Sequence, residues 1–132
     1  MPLLWNDSLL TGVSVVDNQH RELFRKINEL LDSAGKGREK VREIATFLQN
    51  YITTHFETEE KLMVRAHYPD YENHKHSHDQ YSQEFKALQE EIDREGASLS
   101  LTVKMNNLLI DWWINHINRV DKKMAEFIRD KI

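Results

Sequence analysis

Apolar residues recur at three- and four-residue intervals along four long runs of this chain, and that period commits it to helices. The first run covers about 17–34, striped by Leu23, Phe24, Ile27, Leu30 and Leu31, with Asp17 suited to cap its first turn. The second covers about 38–66, with Val41, Ile44, Leu48, Ile52, Phe56, Leu62 and Met63. The third begins near Pro69, a residue tolerated at a first helical position, and carries Tyr71, Tyr81, Phe85, Leu88 and Ile92. The fourth starts near Ser98 or Ser100 and runs almost to the end through Leu108, Leu109, Trp112, Trp113, Ile117, Val120, Met124, Phe127 and Ile128. Gly35, Gly37, Pro69 and Gly96 punctuate the runs.

Four amphipathic helices with short connections predict an all-α fold, an up-down-up-down antiparallel four-helix bundle. Residues 1–16 are too short and irregular for a fifth helix. They are expected to form an N-terminal arm, with Trp5, Leu9 and Leu10 packed on the bundle. At 132 residues the chain fits one domain, 1–132, large enough to bury a core without covalent staples.

Composition removes several function classes. There is no Cys, so disulfide scaffolds, thiolate metal sites and thiol nucleophiles are excluded. A net charge of −4 lacks the basic footprint of a nucleic-acid binder. No apolar stretch approaches the roughly 20 residues a membrane span needs. The longest candidate, 108–114, is cut by Asp111. With neither a secretion signal nor cysteine, the expected location is the cytoplasm, and no exposed apolar face points to anything but a monomer.

The seven His need explaining. Positions four apart share a helix face. His55 and Glu59 therefore point together, on the face of Leu48, Ile52 and Leu62. His74 and His78 likewise share the face of Tyr71, Tyr81 and Phe85. His20 lies with Leu23, Phe24, Ile27 and Leu31, and His116 among Trp112, Trp113 and Val120. Any one of these is readily a hydrogen-bonded core histidine. Five imidazoles on four converging helices cannot all be solvated, and burial without partners is costly. His76 lies about 200° from His74 and faces water, and His67 sits in the loop before Pro69; both read as bystanders.

Asp121 is less comfortable. Five residues beyond His116 leave it about 140° away on a regular helix. A solvated acid before Lys122 and Lys123 is the competing reading, and a local helix distortion, or a metal lying off to one side, would be needed to make it a ligand. Imidazoles and carboxylates without thiolate suit iron, zinc, copper or manganese. Seven protein donors exceed what one divalent ion takes in ordinary geometry, so two ions are implied.

These residues also carry a family resemblance. The chain resembles the hemerythrins, in particular those of bacteria. The matching residues are Trp5, Gly12-Val13, Asp17-Asn18-Gln19-His20, Leu23-Phe24, 55–60, Leu62-Met63, Tyr68-Pro69-Asp70-Tyr71, His74, His78, Trp112, His116-Ile117 and Asp121-Lys122-Lys123. The resemblance implies reversible O₂ binding at a non-haem di-iron centre with an oxo or hydroxo bridge. His74, His78 and His116 would hold one iron and His20 and His55 the other, with Glu59 and Asp121 bridging. It implies an oxygen carrier, store or supplier rather than an enzyme. Phe24, Phe56 and Trp113 are the expected pocket residues. Where the pattern usually has Leu after the tryptophan, this chain has Trp113; if it lines the pocket its bulk would narrow ligand entry, and plain core packing is the competing reading. A di-iron enzyme removing peroxide or nitric oxide, an O₂ or redox sensor, and a zinc-holding bundle are the alternatives.

Overall fold

The computed structural model describes residues 3–33, 36–95 and 99–132. Four helices make the bundle: α1 (Ser14–Asp32), α2 (Arg38–Arg65), α3 (Tyr71–Glu95) and α4 (99–128). Among the described residues there is no strand. Successive helices pack on one another, α1 on α2, α2 on α3 and α3 on α4, as short connections require of antiparallel neighbours.

The stripes read from the period form the core. Leu23, Phe24, Ile27 and Leu30 of α1 meet Leu48, Ile52 and Phe56 of α2, Tyr81, Phe85 and Leu88 of α3, and Leu109, Trp113 and Ile117 of α4. A second apolar cluster lies at the other end, where Val13, Val16, Met63, Tyr68, Met124, Ala125 and Ile128 pack together. Leu31, Leu62, Tyr71, Leu108, Trp112 and Phe127 lie at the edges of these clusters and are only partly covered, as is Val120.

Helix boundaries differ from the sequence expectations for local reasons. Asp17 is not a cap. It lies one turn inside α1, buried, and its carboxylate accepts from Thr11 N and Oγ1 (both 2.8 Å) and from Gly12 N (3.1 Å). The carboxylate therefore ties the arm to the helix instead of satisfying the helix's own first amides. Gly12 has φ +87°, and a β-carbon there would stand 2.9 Å from Arg129 Cδ, so the crossing of arm and α4 terminus requires glycine.

Pro69 does not open α3; it precedes Asp70, whose carbonyl accepts the first helical bond from His74 N (3.1 Å). Its position follows from how α2 ends. His67 takes a left-handed φ of 56°, and Tyr68 N bonds Met63 O while His67 N bonds Val64 O. That paired closure usually uses glycine at the left-handed position. The closure needs two more residues before α3 can begin. The proposed terminator Gly96, and Ala34 and Gly35 after α1, fall outside the described residues.

The arm ends earlier than expected, at Val13, and contains a short 3₁₀ turn, Asp7–Leu9. Leu3 and Leu9 are buried and Trp5 packs partly on the core, but Leu10 is 40% exposed, contrary to its expected packing. Leu3 is anchored at its backbone, where Asn28 accepts from Leu3 N (2.6 Å) and donates to Leu3 O (2.8 Å).

Helix α4 is continuous but not uniform. Within it, Asn107–Asp111 and Ile117–Asp121 are π-helical, separated by the α-helical Trp112–His116. No helix among the described residues is long and apolar enough to cross a membrane.

Candidate metal centre

Each helix delivers donors to one point between the two apolar clusters. α1 supplies His20, α2 His55 and Glu59, α3 His74 and His78, and α4 His116 and Asp121. All seven are buried, none more than 6% exposed.

Four-residue spacing on regular helices explains the pairs His55–Glu59 and His74–His78, while His20 and His116 each lie singly on an apolar face. Asp121 needs the π turn. There the amide of Lys122 reaches back five residues to Ile117 O, one more than in an α-helix. The same widened turn accommodates the five-residue interval and brings Asp121 Oδ1 to 3.1 Å from His116 Nε2. Of the two accommodations the spacing leaves open, a distorted helix or a metal lying to one side, the backbone supplies the first.

The carboxylates divide their oxygens between two groups of imidazoles. Glu59 Oε1 faces His74 Nε2 (3.3 Å) and His78 Nε2 (3.1 Å), while Oε2 faces His55 Nε2 (3.1 Å) and His20 Nε2 (3.6 Å). Asp121 Oδ1 faces His74 and His116 (both 3.1 Å), and Oδ2 faces His20 (3.1 Å). Two overlapping donor groups result, each with its donor atoms within 4.8 Å of one another. One is Glu59, His74, His78, His116 and Asp121; the other is His20, His55, Glu59 and Asp121.

These approaches are not hydrogen bonds. All five Nε2 atoms and all four carboxylate oxygens are buried without a hydrogen-bond partner. Orphaned buried polar atoms are rare and costly, and nine of them converging demand an explanation. Donors about 2.1 Å from a shared ion and at right angles lie about 3.0 Å apart, close to the separations seen here. An all-nitrogen-and-oxygen set suits imidazole-binding transition metals such as iron. The residues fit a transition-metal site of this donor chemistry.

Without metal, protons must supply the positive charge. Burial pulls the His20 imidazole down, but Asp121 and Glu59 beside it outweigh that and raise its pKa to about 9. His74 is carried to about 9 by the same balance. His55 goes the other way, because burial dominates over the pull of Glu59. Burial acts to raise both carboxyls, yet the surrounding imidazoles hold Glu59 and Asp121 well below the ordinary carboxylate range.

Two imidazoles are oriented from behind. His55 Nδ1 is 2.7 Å from Gln19 Oε1, and Gln19 is itself held by its Nε2 donating to Thr58 Oγ1 (3.2 Å). His78 Nδ1 is 2.9 Å from Glu60 Oε2. Such partners fix the ring and its tautomer, leaving Nε2 free for a metal. Neither Gln19 nor Glu60 was assigned a role by helical spacing. The available signal was adjacency, since Gln19 precedes His20 and Glu60 follows Glu59, each at the margin of a buried face.

Of the expected pocket residues, Phe56 stacks on His78 (3.8 Å between centroids, 7° between planes), and Trp113 lies 6.0 Å from His55 and 6.3 Å from His116. Phe24 is buried but packs its ring on Trp5 of the arm, at 5.4 Å. Trp112 stacks on His116 at 4.3 Å. His67 and His76 are exposed and stand apart from the cluster.

Comparison with known proteins agrees with this geometry. A family model described as the Hemerythrin HHE cation binding domain matches residues 11–128. The chain is 33% identical to a bacteriohemerythrin of Pseudomonas aeruginosa (strain PAO1) over 98% of its own length and 88% of the relative's. It is 32% identical to a bacteriohemerythrin of Methylococcus capsulatus, covering 85% of each. A crystal structure of wild-type hemerythrin superposes with a TM-score of 0.82 at 29% identity, over 96% of this chain and 97% of that one.

Proposed function

The chain belongs to the hemerythrin family, and from that premise we propose that it binds O₂ reversibly at a pair of non-haem iron ions. The observation that carries the reading is the division of each carboxylate between a three-imidazole half and a two-imidazole half. In this reading His74, His78 and His116 would hold one iron and His20 and His55 the other, with Glu59 and Asp121 shared between them. When bound, the iron pair supplies the electrons that reversible O₂ binding draws upon.

The protein's own contribution is coordination number and dryness. One half has three imidazoles and the other two, while both share the same carboxylates. The half of His20 and His55 therefore has one protein donor fewer and leaves room for a small ligand. Phe56 and Trp113, both buried against the cluster, keep bulk water from competing with it. All seven donors are committed to metal, so none is free to serve as a general base, which favours binding over turnover.

The test is to load the purified chain with iron anaerobically, count the metal, and cycle oxygen against argon. The expected result is two irons per chain and a visible absorption that appears with O₂ and fades under argon. Fewer than two irons, or bleaching that is irreversible from the first cycle, would overturn the proposal. Sustained multiple-turnover consumption of peroxide would assign a di-iron enzyme instead.

A further inference from the structure

Trp113 is held by a hydrogen-bond chain that does not involve the metal donors. Its indole Nε1 donates to Tyr81 Oη across 2.9 Å, wholly inside the core. The Tyr81 hydroxyl in turn donates to Leu108 O, at 3.2 Å. Burial pushes the Tyr81 phenol far above its usual pKa, so the hydroxyl stays protonated and can accept from one partner while donating to the other.

The first π turn of α4 takes part. The amide of Trp112 bonds Asn107 O instead of Leu108 O, the carbonyl that an α-helical amide would reach. Leu108 O accepts the tyrosine hydroxyl. The second π turn brings Asp121 to the donor cluster; the first lies one α-helical turn away, beside the tryptophan pair.

Trp113 occupies a decisive place. Its ring is fully buried, stacks against Phe56 at 5.7 Å, and neighbours His55 of the two-imidazole half and His116 of the three-imidazole half. Packed against an imidazole of each half and wholly inside the core, this ring is the bulky group whose displacement would open space beside the donors. We propose that Tyr81 is a positioning residue that latches Trp113 against the donor cluster, between His55 and His116, and so sets the rate at which small ligands enter and leave. The proposal rests on the di-iron reading above and adds to it the residue that controls exchange.

A latch has a kinetic signature that a binding residue lacks. Weakening it raises the fraction of time the ring stands open, so entry and escape accelerate by the same factor while the equilibrium constant stays fixed. Loss of one buried hydrogen bond corresponds to about tenfold in that opening equilibrium.

The experiment uses azide as the probe of the open coordination position in the iron-loaded, oxidised protein, followed by stopped-flow absorbance. Tyr81→Phe keeps the ring and removes the hydroxyl. It is expected to raise both azide association and dissociation about tenfold, with the dissociation constant and the iron content unchanged. In a Trp113→Leu background, where there is no ring to latch, the same substitution is expected to change neither rate. Unchanged rates in Tyr81→Phe overturn the proposal, as does an equal acceleration with and without Trp113. Tyr81→Leu, should Tyr81→Phe fail to fold, carries the same two expectations. Failure of the iron-loaded wild type to bind azide or O₂ would count against the di-iron reading itself.

Discussion

At Glu59, Oε1 looks towards His74 and His78 while Oε2 looks towards His20 and His55, so one side chain serves both halves of the cluster. Removing it leaves five imidazoles with a single shared carboxylate and more positive charge than the core can hold. Glu59→Ala is therefore expected to lose most of its iron from both halves, measured as metal per chain after reconstitution. His76→Ala, at an exposed position on the opposite face of α3, is expected to retain two irons. Equal loss from both would show that the division between donors and bystanders is wrong. Both residues were legible from spacing alone, because a four-residue interval and a 200° offset are properties of any α-helix. Gln19 and Glu60 were not, since helical period states which face a residue occupies but not which ring nitrogen of a neighbour needs a partner.

Among the elements, α4 departs most from the regular pattern. Its five-residue interval between His116 and Asp121 works only through the π turn Ile117–Asp121. Such a turn is equivalent to an α-helix with one residue inserted. Deleting the exposed Arg119 should convert it to regular α-helix and leave the carboxylate four residues from His116, again on the same face. The shortened protein is expected to keep two irons and full helical circular dichroism. Iron loss with the helix intact would mean that the π turn sets more than register. Helix α2 closes on His67 in a left-handed conformation, which costs a non-glycine residue about 1 kcal/mol. The histidine that looked idle in the sequence thus occupies a structural position, with no part in the metal cluster.

For the molecule as a whole, the donor cluster lies between two apolar clusters, so a bound metal would tie together the two ends of one bundle. Without metal, His20 and His74 have pKa values raised from 6.5 to about 9. A raised pKa contributes stability that is full below about pH 6.5 and disappears as pH climbs through 9, where the folded protein gives up those protons. Metal binding has the opposite slope across that window, because the ions require deprotonated imidazoles. The melting temperature of metal-free protein is therefore expected to fall between pH 6.5 and 9. That of metal-loaded protein should hold, so the gap between them widens. Paired thermal melts with and without a chelator check this, and a gap that narrows with rising pH would contradict it.

The amino-acid sequence alone determined the helical class, the number of helices and the inward face of each, because those follow from a 3.6-residue period and the rarity of Gly and Pro. It also determined that five imidazoles and Glu59 share the interior, since each lies on an apolar stripe. Tertiary structure decided the matters that depend on contacts between helices or on departures from ideal helix geometry. Asp121 turned inwards because the backbone of α4 widened by one residue. Asp17 turned towards the arm because Thr11 and Gly12 offered unpaired donors there, a choice that capping preference cannot foresee. The latch between Tyr81 and Trp113 joins residues 32 positions apart, and only packing of α3 on α4 brings a hydroxyl and an indole within hydrogen-bond reach.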